Sequence, residues 1–378
     1  MHSRCATVNK SFYHNNKTKC RLKKPISYER VVSMEIYDLL KKNQEIWDLF
    51  TRKEEYNSSI RDQCGRFSYS ASSNRNILKP SVSKYLIEQG YHVEYPEDKP
   101  FAVCLTHDID NVYTSHLEKI VSAKRHLQQG SLSGFKQSVA QMRSKKLPLW
   151  NFNDIIALEE KYDAKSSFYF MAENSGEVDY AYQIEDFESV LRDIVDSGSE
   201  VGLHGGHTSY LSLEELVTKK ERLEKVLHKK VVGYRNHYLK FKVPETWEYL
   251  HEAGFLYDTT FGYADHIGFR NGMCHPYKPF NLKKGKSIEI LEIPLIIMDR
   301  TLQRNMNLDT GRAWDLSKKI IESVEKYNGV LTLLWHNNDF SGDQRKLYEK
   351  ILKYCGEKNA WMTSGEHISA WWKDNVRA

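Results

Sequence analysis

The stretch FAVCLTHDID, residues 101 to 110, opens on five apolar residues and closes on Thr106, His107, Asp108 and Asp110. An apolar strand that stops on acid and imidazole groups fits the rim of an α/β fold, where chemistry gathers at the carboxyl ends of parallel strands. Three later stretches have the same form: LHGGH (203 to 207), RNHY (235 to 238) closing the run VVGYRNHYL, and LLWH (333 to 336). From residue 101 onward, short apolar or β-branched runs alternate with helical patterns, the signature of repeated βα units around a parallel sheet. Strands read at FAVCLTH (101 to 107), SSFYFMA (166 to 172), EVGLH (200 to 204), VVGYR (231 to 235), LYDTT (256 to 260), IEILEIPL (288 to 295) and GVLTLLW (329 to 335). Seven such units are enough to close a barrel.

Helix boundaries between them are marked by ordinary grammar. Ser212 with Glu215 forms a capping box ahead of LEELVTKKERLEKVL, Pro244 starts a helix that stops at Gly254, and DFESVLRDIVDSG ends on Gly198. Residues 1 to 99 lack the βα alternation. They hold one amphipathic helical pattern (28 to 50) and a polar Ser/Asn/Arg segment (57 to 76), and read as a helical N-terminal extension that packs on a barrel spanning 100 to 378 or covers its mouth.

Composition narrows the partners. A net charge of +5 is small against 55 basic and 50 acidic side chains, and points to no nucleic-acid partner. The basic excess sits in Lys10, Lys17, Lys19, Arg21, Lys23 and Lys24, which read as a basic arm. No apolar stretch approaches the roughly 18 to 20 residues that span a bilayer, and no secretion signal is visible, so a cytoplasmic protein is expected. Six cysteines without a CxxC spacing indicate reduced thiols and neither a thiolate zinc site nor a disulfide framework. Cys104, two residues before Thr106, reads as packing.

The four segments carry the chemistry. Asp108 and Asp110 are two apart, so on a strand both point to one face. Two carboxylates that close repel unless a cation takes one of them, which divides them into a metal ligand and a general base; Asp-Ile-Asp-Asn also reads as a helix cap. His204 and His207 flank two glycines that let backbone approach an ion, and His with Asp suits zinc or another late first-row metal. Arg235 and His237 alternate with Asn236 and Tyr238 along the strand and so share a face, and Arg235 could hold a carboxylate in a bidentate pair or tie the wall together. His336, at the end of a buried strand, suits a general acid.

In this order and spacing the segments resemble the polysaccharide deacetylase family (NodB homology domain, carbohydrate esterase family four) over roughly residues 100 to 340. The resemblance implies an α/β fold, an irregular (β/α)7 barrel related to the TIM barrel, and one divalent metal, zinc first, that serves hydrolysis of N- or O-acetyl groups on sugars. It implies Asp108 as base, Asp110 and His204 as metal ligands, His336 as general acid with Leu334 and Trp335 shaping an acetyl pocket, and Asp258 lining the pocket or positioning the acid. The second motif departs from the family pattern, since Thr208 stands where its second histidine belongs; the third ligand is then His207 or His237, with His237 preferred because its motif already lines the pocket. The substrate implied is an acetylated sugar or a surface-polysaccharide precursor. Another metal-dependent hydrolase of a non-peptide C–N bond, or a non-catalytic carbohydrate-binding relative, would use the same groups. Tyr210, Tyr238, Phe261, Tyr263 and Trp335 are candidates to stack on sugar rings.

Overall fold

The structure is a computed structural model and describes residues 36 to 112 and 149 to 375. The basic arm, Cys5, Cys20 and the first part of the 28 to 50 helical pattern lie outside the described residues.

Strand β1 (Ala102–Ile109) is buried along its whole length, as a strand covered on both faces must be. It is flanked in a parallel sheet by β2 (Ser167–Met171), β3 (Glu200–Gly205), β4 (Gly233–Asn236) and β5 (Tyr257–Asp258) on one side. A hairpin, β6 (Phe280–Asn281) with β7 (Lys286–Ser287), precedes β8 (Leu291–Glu292) and β9 (Ile297–Met298); β10 (Val330–Leu334) and β11 (Trp361–Thr363) follow. The ladder order is β8-β5-β4-β3-β2-β1-β10-β9. Strand β2 covers only the upper half of β1, and β11 takes the lower half of the same edge. The run predicted as a strand at 288 to 295 holds only the short β8, which bonds to β5; β9 begins five residues after β8 ends and bonds to β10. One piece of chain thus forms both edges of the sheet and closes the ring by continuity. The short strand β11 and the β6/β7 hairpin gave no periodic signal long enough to read.

Period-two alternation decides which side chains enter the barrel. Ala102 and Cys104 of β1 face inward and meet Tyr169, Tyr257 and Val330. Val103 and Leu105 face outward into the layer of helices. The barrel floor is plugged by Ile368 and Trp372 from the C-terminal helix (365 to 375). Burial also pushes the Cys104 thiol up, in keeping with packing. Among the described residues no helix is long and apolar enough to cross a membrane.

The described part of the N-terminal quarter is helical. The single pattern over 28 to 50 becomes two helices, α1 (Ile36–Lys41) and α2 (Gln44–Thr51), because Asn43 turns the chain and its side chain caps the second by accepting from Ile46 N. Trp47, Phe50 and Leu86 pack on Met273, Tyr277 and Phe280. Beneath them Arg52, 1% exposed, donates to Glu55 (2.8 Å) and to the Arg270 carbonyl (2.7 Å), while Arg270 donates to both Glu55 oxygens.

Candidate metal centre and active site

The carboxyl ends of β1, β3, β4 and β10 converge. Asp108 stands on the inward face of β1 and Asp110 one residue beyond its end. His204, near the end of β3, is 1% exposed. Its Nδ1 donates to the Arg235 carbonyl at 3.0 Å, which in the neutral ring leaves the Nε2 lone pair free. That Nε2 is buried, has no hydrogen-bond partner, and lies 3.2 Å from Asp110 Oδ1 and 3.7 Å from Asp108 Oδ2.

His237 completes the cluster from a different element than predicted. Strand β4 ends at Asn236, and His237 begins a turn in which Tyr238 takes a φ of 59°. The turn brings His237 Nε2 to 3.8 Å from the same Asp110 oxygen. Asp179 Oδ2 stands 3.1 Å from Nδ1 on the other side of the ring. Ligand atoms held about 2.0 to 2.2 Å from a tetrahedral ion are about 3.4 Å from each other, so Asp110 Oδ1, His204 Nε2 and His237 Nε2 have the spacing and the free lone pairs for a divalent metal. All three ligand atoms lie within 4.8 Å of one another.

The other oxygen of Asp110 serves different partners from His204 and His237. It accepts from Arg300 Nη1 and lies 3.8 Å from His336 Nε2. Burial alone would raise the Asp110 carboxyl; Arg300 first, then His336, His204 and His237, hold it well below the ordinary carboxylate range. Burial likewise opposes charge on His204, yet Asp108 and Asp110 raise it above the ordinary imidazole range. The first shift keeps Asp110 ionised, and the second reports the negative charge that Asp108 and Asp110 place at His204, which a cation would neutralise.

A second cluster, Asp299, His336 and Asp339, has ligand atoms equally close, but its donors are taken. His336 Nδ1 is 2.7 Å from Asp299 Oδ1, and the His336 backbone N–H donates to Asp299 Oδ2 at 2.8 Å. Asp339 accepts from Arg300 and Arg304. The pairing fixes the His336 tautomer and aims Nε2 at the cleft. Burial would raise Asp299, and the charge of His336 outweighs it, so the carboxyl stays below its usual range.

Other side chains fall elsewhere. His207 is not in the cluster: Lys240 Nζ stands 2.7 Å from its Nε2. The glycines between the histidines do not open the backbone to an ion; a Cβ on Gly205 would strike Tyr234, and one on Gly206 would strike Glu173. Arg235 is fully buried and donates to Thr259 (2.9 Å) and Thr106 (3.0 Å). It approaches Asp108 Oδ1 only to 3.8 Å, a charge contact in place of the bidentate pair expected. Asp258 neither lines the cleft nor holds His336, since Tyr257 and Thr259 take the inward positions and Asp258 turns outward. It accepts from Thr260 and faces Glu292 across the ladder, where burial and then the charge of Asp258 keep Glu292 well above the ordinary range. Trp335 also turns outward, its ring tilted against Tyr348, while Leu334 packs inward with Leu239, Ala264 and Met298. Of the five aromatic candidates Tyr238 lines the cleft, 45% exposed and stacked on His237 at 3.8 Å; Phe261, Tyr263 and Trp335 are buried.

Sequence reasoning missed Asp299, Arg300 and Asp179. The first two follow the rule that found THDID, an apolar run (IPLIIM) stopping on charge, but the strand was ended too early at Leu295. Asp179 sits in a polar loop after β2 with no pattern to mark it.

No protein-family model and no curated protein matches the sequence. Among solved structures, a Mycobacterium smegmatis protein assigned to the polysaccharide deacetylases is similar with a TM-score of 0.52 and 18% identity, over 76% of this chain and 94% of that one. A pseudoenzyme of carbohydrate esterase family 4 from Bacillus anthracis has a TM-score of 0.39 and 12% identity over 73% of this chain and 66% of its own. A family 4 carbohydrate esterase from Streptomyces lividans, in complex with acetate, has 0.36 and 10% over 69% and 91%. The two lower scores carry no weight for this chain. The first fixes the architecture: the chain shares the irregular (β/α) barrel fold of a polysaccharide deacetylase structure.

Proposed function

We propose that this protein is a metal-dependent hydrolase that removes an acetyl group from an amide nitrogen on a sugar or polysaccharide precursor. The observation that carries this reading is the buried, partnerless Nε2 of His204 facing Asp110 Oδ1 at 3.2 Å, with Asp108 and His336 on two sides. Asp110, His204 and His237 would hold the ion, and the Asp/His/His set suits zinc. When bound, a divalent ion polarises the scissile carbonyl and lowers the pKa of a water.

The chain's own groups supply the rest. Asp108 takes a proton from the attacking water, whose oxygen bonds to the carbonyl carbon. His336 Nε2 gives a proton to the amide nitrogen as the C–N bond breaks, so acetate and a free amine leave. Asp299 holds Nδ1 and keeps Nε2, the nitrogen that would carry the transferred proton, toward the cleft. Arg300 orients Asp110 through a hydrogen bond, and the Asp179 carboxylate, 3.1 Å from Nδ1, orients His237 by charge, as neighbours of metal ligands commonly do. Tyr238 offers the exposed ring on which a sugar can stack.

The test is acetate release from N-acetylated sugars by zinc-loaded protein, with metal content measured in parallel. Asp108→Asn should lower kcat/KM by roughly 100-fold or more with metal retained, and His204→Ala should lose the metal. Full activity in both variants would overturn the reading.

A further inference from the structure

The cleft above Asp108, His237 and His336 encloses about 210 Å³ and is also lined by Arg66, Arg300 and Arg304. They come from two distant parts of the chain: the 57 to 76 segment, and the turn after β9. Each guanidinium has five donors, and each is anchored through some of them only. Arg66 donates Nε to Asp62 (2.7 Å) and Nη1 to the Tyr238 carbonyl (2.9 Å). Arg304 donates Nη2 to Asp339 at 3.0 Å. Among the described residues, Nη2 of Arg66 and both Nε and Nη1 of Arg304 have no hydrogen-bond partner.

These anchors matter to the chemistry. Asp62 fixes Arg66 and Asp339 fixes Arg304 in place, each through part of the guanidinium only. Arg300 is committed to Asp110 and Asp339, but Arg66 and Arg304 have free donors and no role in the chemistry described above. A neutral sugar ring needs no cation at the mouth. The free N–H donors of a guanidinium match the oxygens of a phosphate or carboxylate.

We propose that the substrate carries an anionic group, phosphate or carboxylate, which pairs with Arg66 and Arg304 while its acetyl group lies between Asp108 and His336. This rests on the hydrolase reading for the position of the acetyl group, and the arginine pairing is tested separately from turnover. The full-length Asp108→Asn protein, loaded with zinc, is titrated calorimetrically with N-acetylglucosamine, N-acetylglucosamine 1-phosphate and an N-acetylated aminouronic acid. At low salt at least one anionic sugar should bind roughly tenfold or more tighter than the neutral one, the strength of a charge-assisted hydrogen bond. The preference should shrink as salt rises, and the phosphate and carboxylate arms separate the two sources of charge.

Adding Arg66→Gln and Arg304→Gln should bring the ratio of anionic to neutral affinity close to one. Arg304→Gln alone, at a side chain 59% exposed, should reduce the ratio without disturbing the fold, which guards against a shift of the Arg66 segment. Equal affinities in the parent protein, a ratio unmoved by the variants, or binding of none of the three sugars would overturn the proposal. Preferential binding of an anionic sugar without acetate release by the Asp108-containing protein would instead overturn the hydrolase reading and leave this one standing. Acetate release at equal kcat/KM from neutral and anionic sugars would do the reverse.

Discussion

His336 illustrates how much of one residue's behaviour is set by a neighbour far away in sequence. Asp299 accepts from its backbone N–H and stands 2.7 Å from Nδ1, so a neutral amide at 299 would let the ring flip or take the other tautomer. Asp299→Asn should lower kcat by roughly 10- to 100-fold while bound zinc stays constant; unchanged kcat would show that the ring needs no such support. Asp108, Asp110, His204 and His336 were legible because each ends or follows an apolar strand, and a strand's direction fixes where its end lies. The choice between His207 and His237 was not, since it turns on the backbone at Tyr238, where the strand gives way to a tight turn. Arg66 had no signal at all, because nothing in a polar segment says which rim it will cross.

At the scale of elements, alternation explains both successes and failures. The pairing of Asp108 with Asp110 on one face holds as read, whereas Asp258 and Trp335 fall on the parity that faces outward, which residue type alone does not reveal. Glu200 shows the opposite end of the same strand logic. It opens β3 and accepts from Ser167, Tyr257 and the Glu366 N–H, tying β2, β5 and the C-terminal helix together. Burial pushes its carboxyl up to about 7 from an ordinary 4.5. A raised acid binds its proton more tightly in the folded state, so its stabilisation is present at low pH and is lost as pH rises from about 4.5 through 7. Glu200→Gln should therefore flatten the fall in unfolding free energy between pH 5 and 8 by an amount on the order of 3 kcal/mol, read from urea titrations at each pH. An equally steep fall in the variant would assign the dependence to other groups.

For the whole molecule, the N-terminal helices are joined to the barrel by a buried charge cluster as well as by aromatic packing. Arg270 and Arg52 hold the Glu55 carboxyl below its ordinary range although burial works the other way. Glu55→Ala would leave the buried Arg270 guanidinium without a carboxylate, while Arg52 keeps Glu54 at 2.6 Å, and should destabilise the protein by about 3 kcal/mol, measured as a shift in the urea midpoint; a change under about 1 kcal/mol would mean the cluster is hydrated. The seam between residues 291 and 298 has a different consequence. Leu291 and Ile293 amides bond to carbonyls of Leu256 and Asp258, and the Ile296 amide bonds to Thr332 on the opposite flank. Neither flank can let go without slackening the strap that spans them, so these three amides should exchange with deuterium at a common rate, as a single cooperative unit. Widely separated rates would mean that the cylinder unzips from one side first, like a collar with two independent clasps.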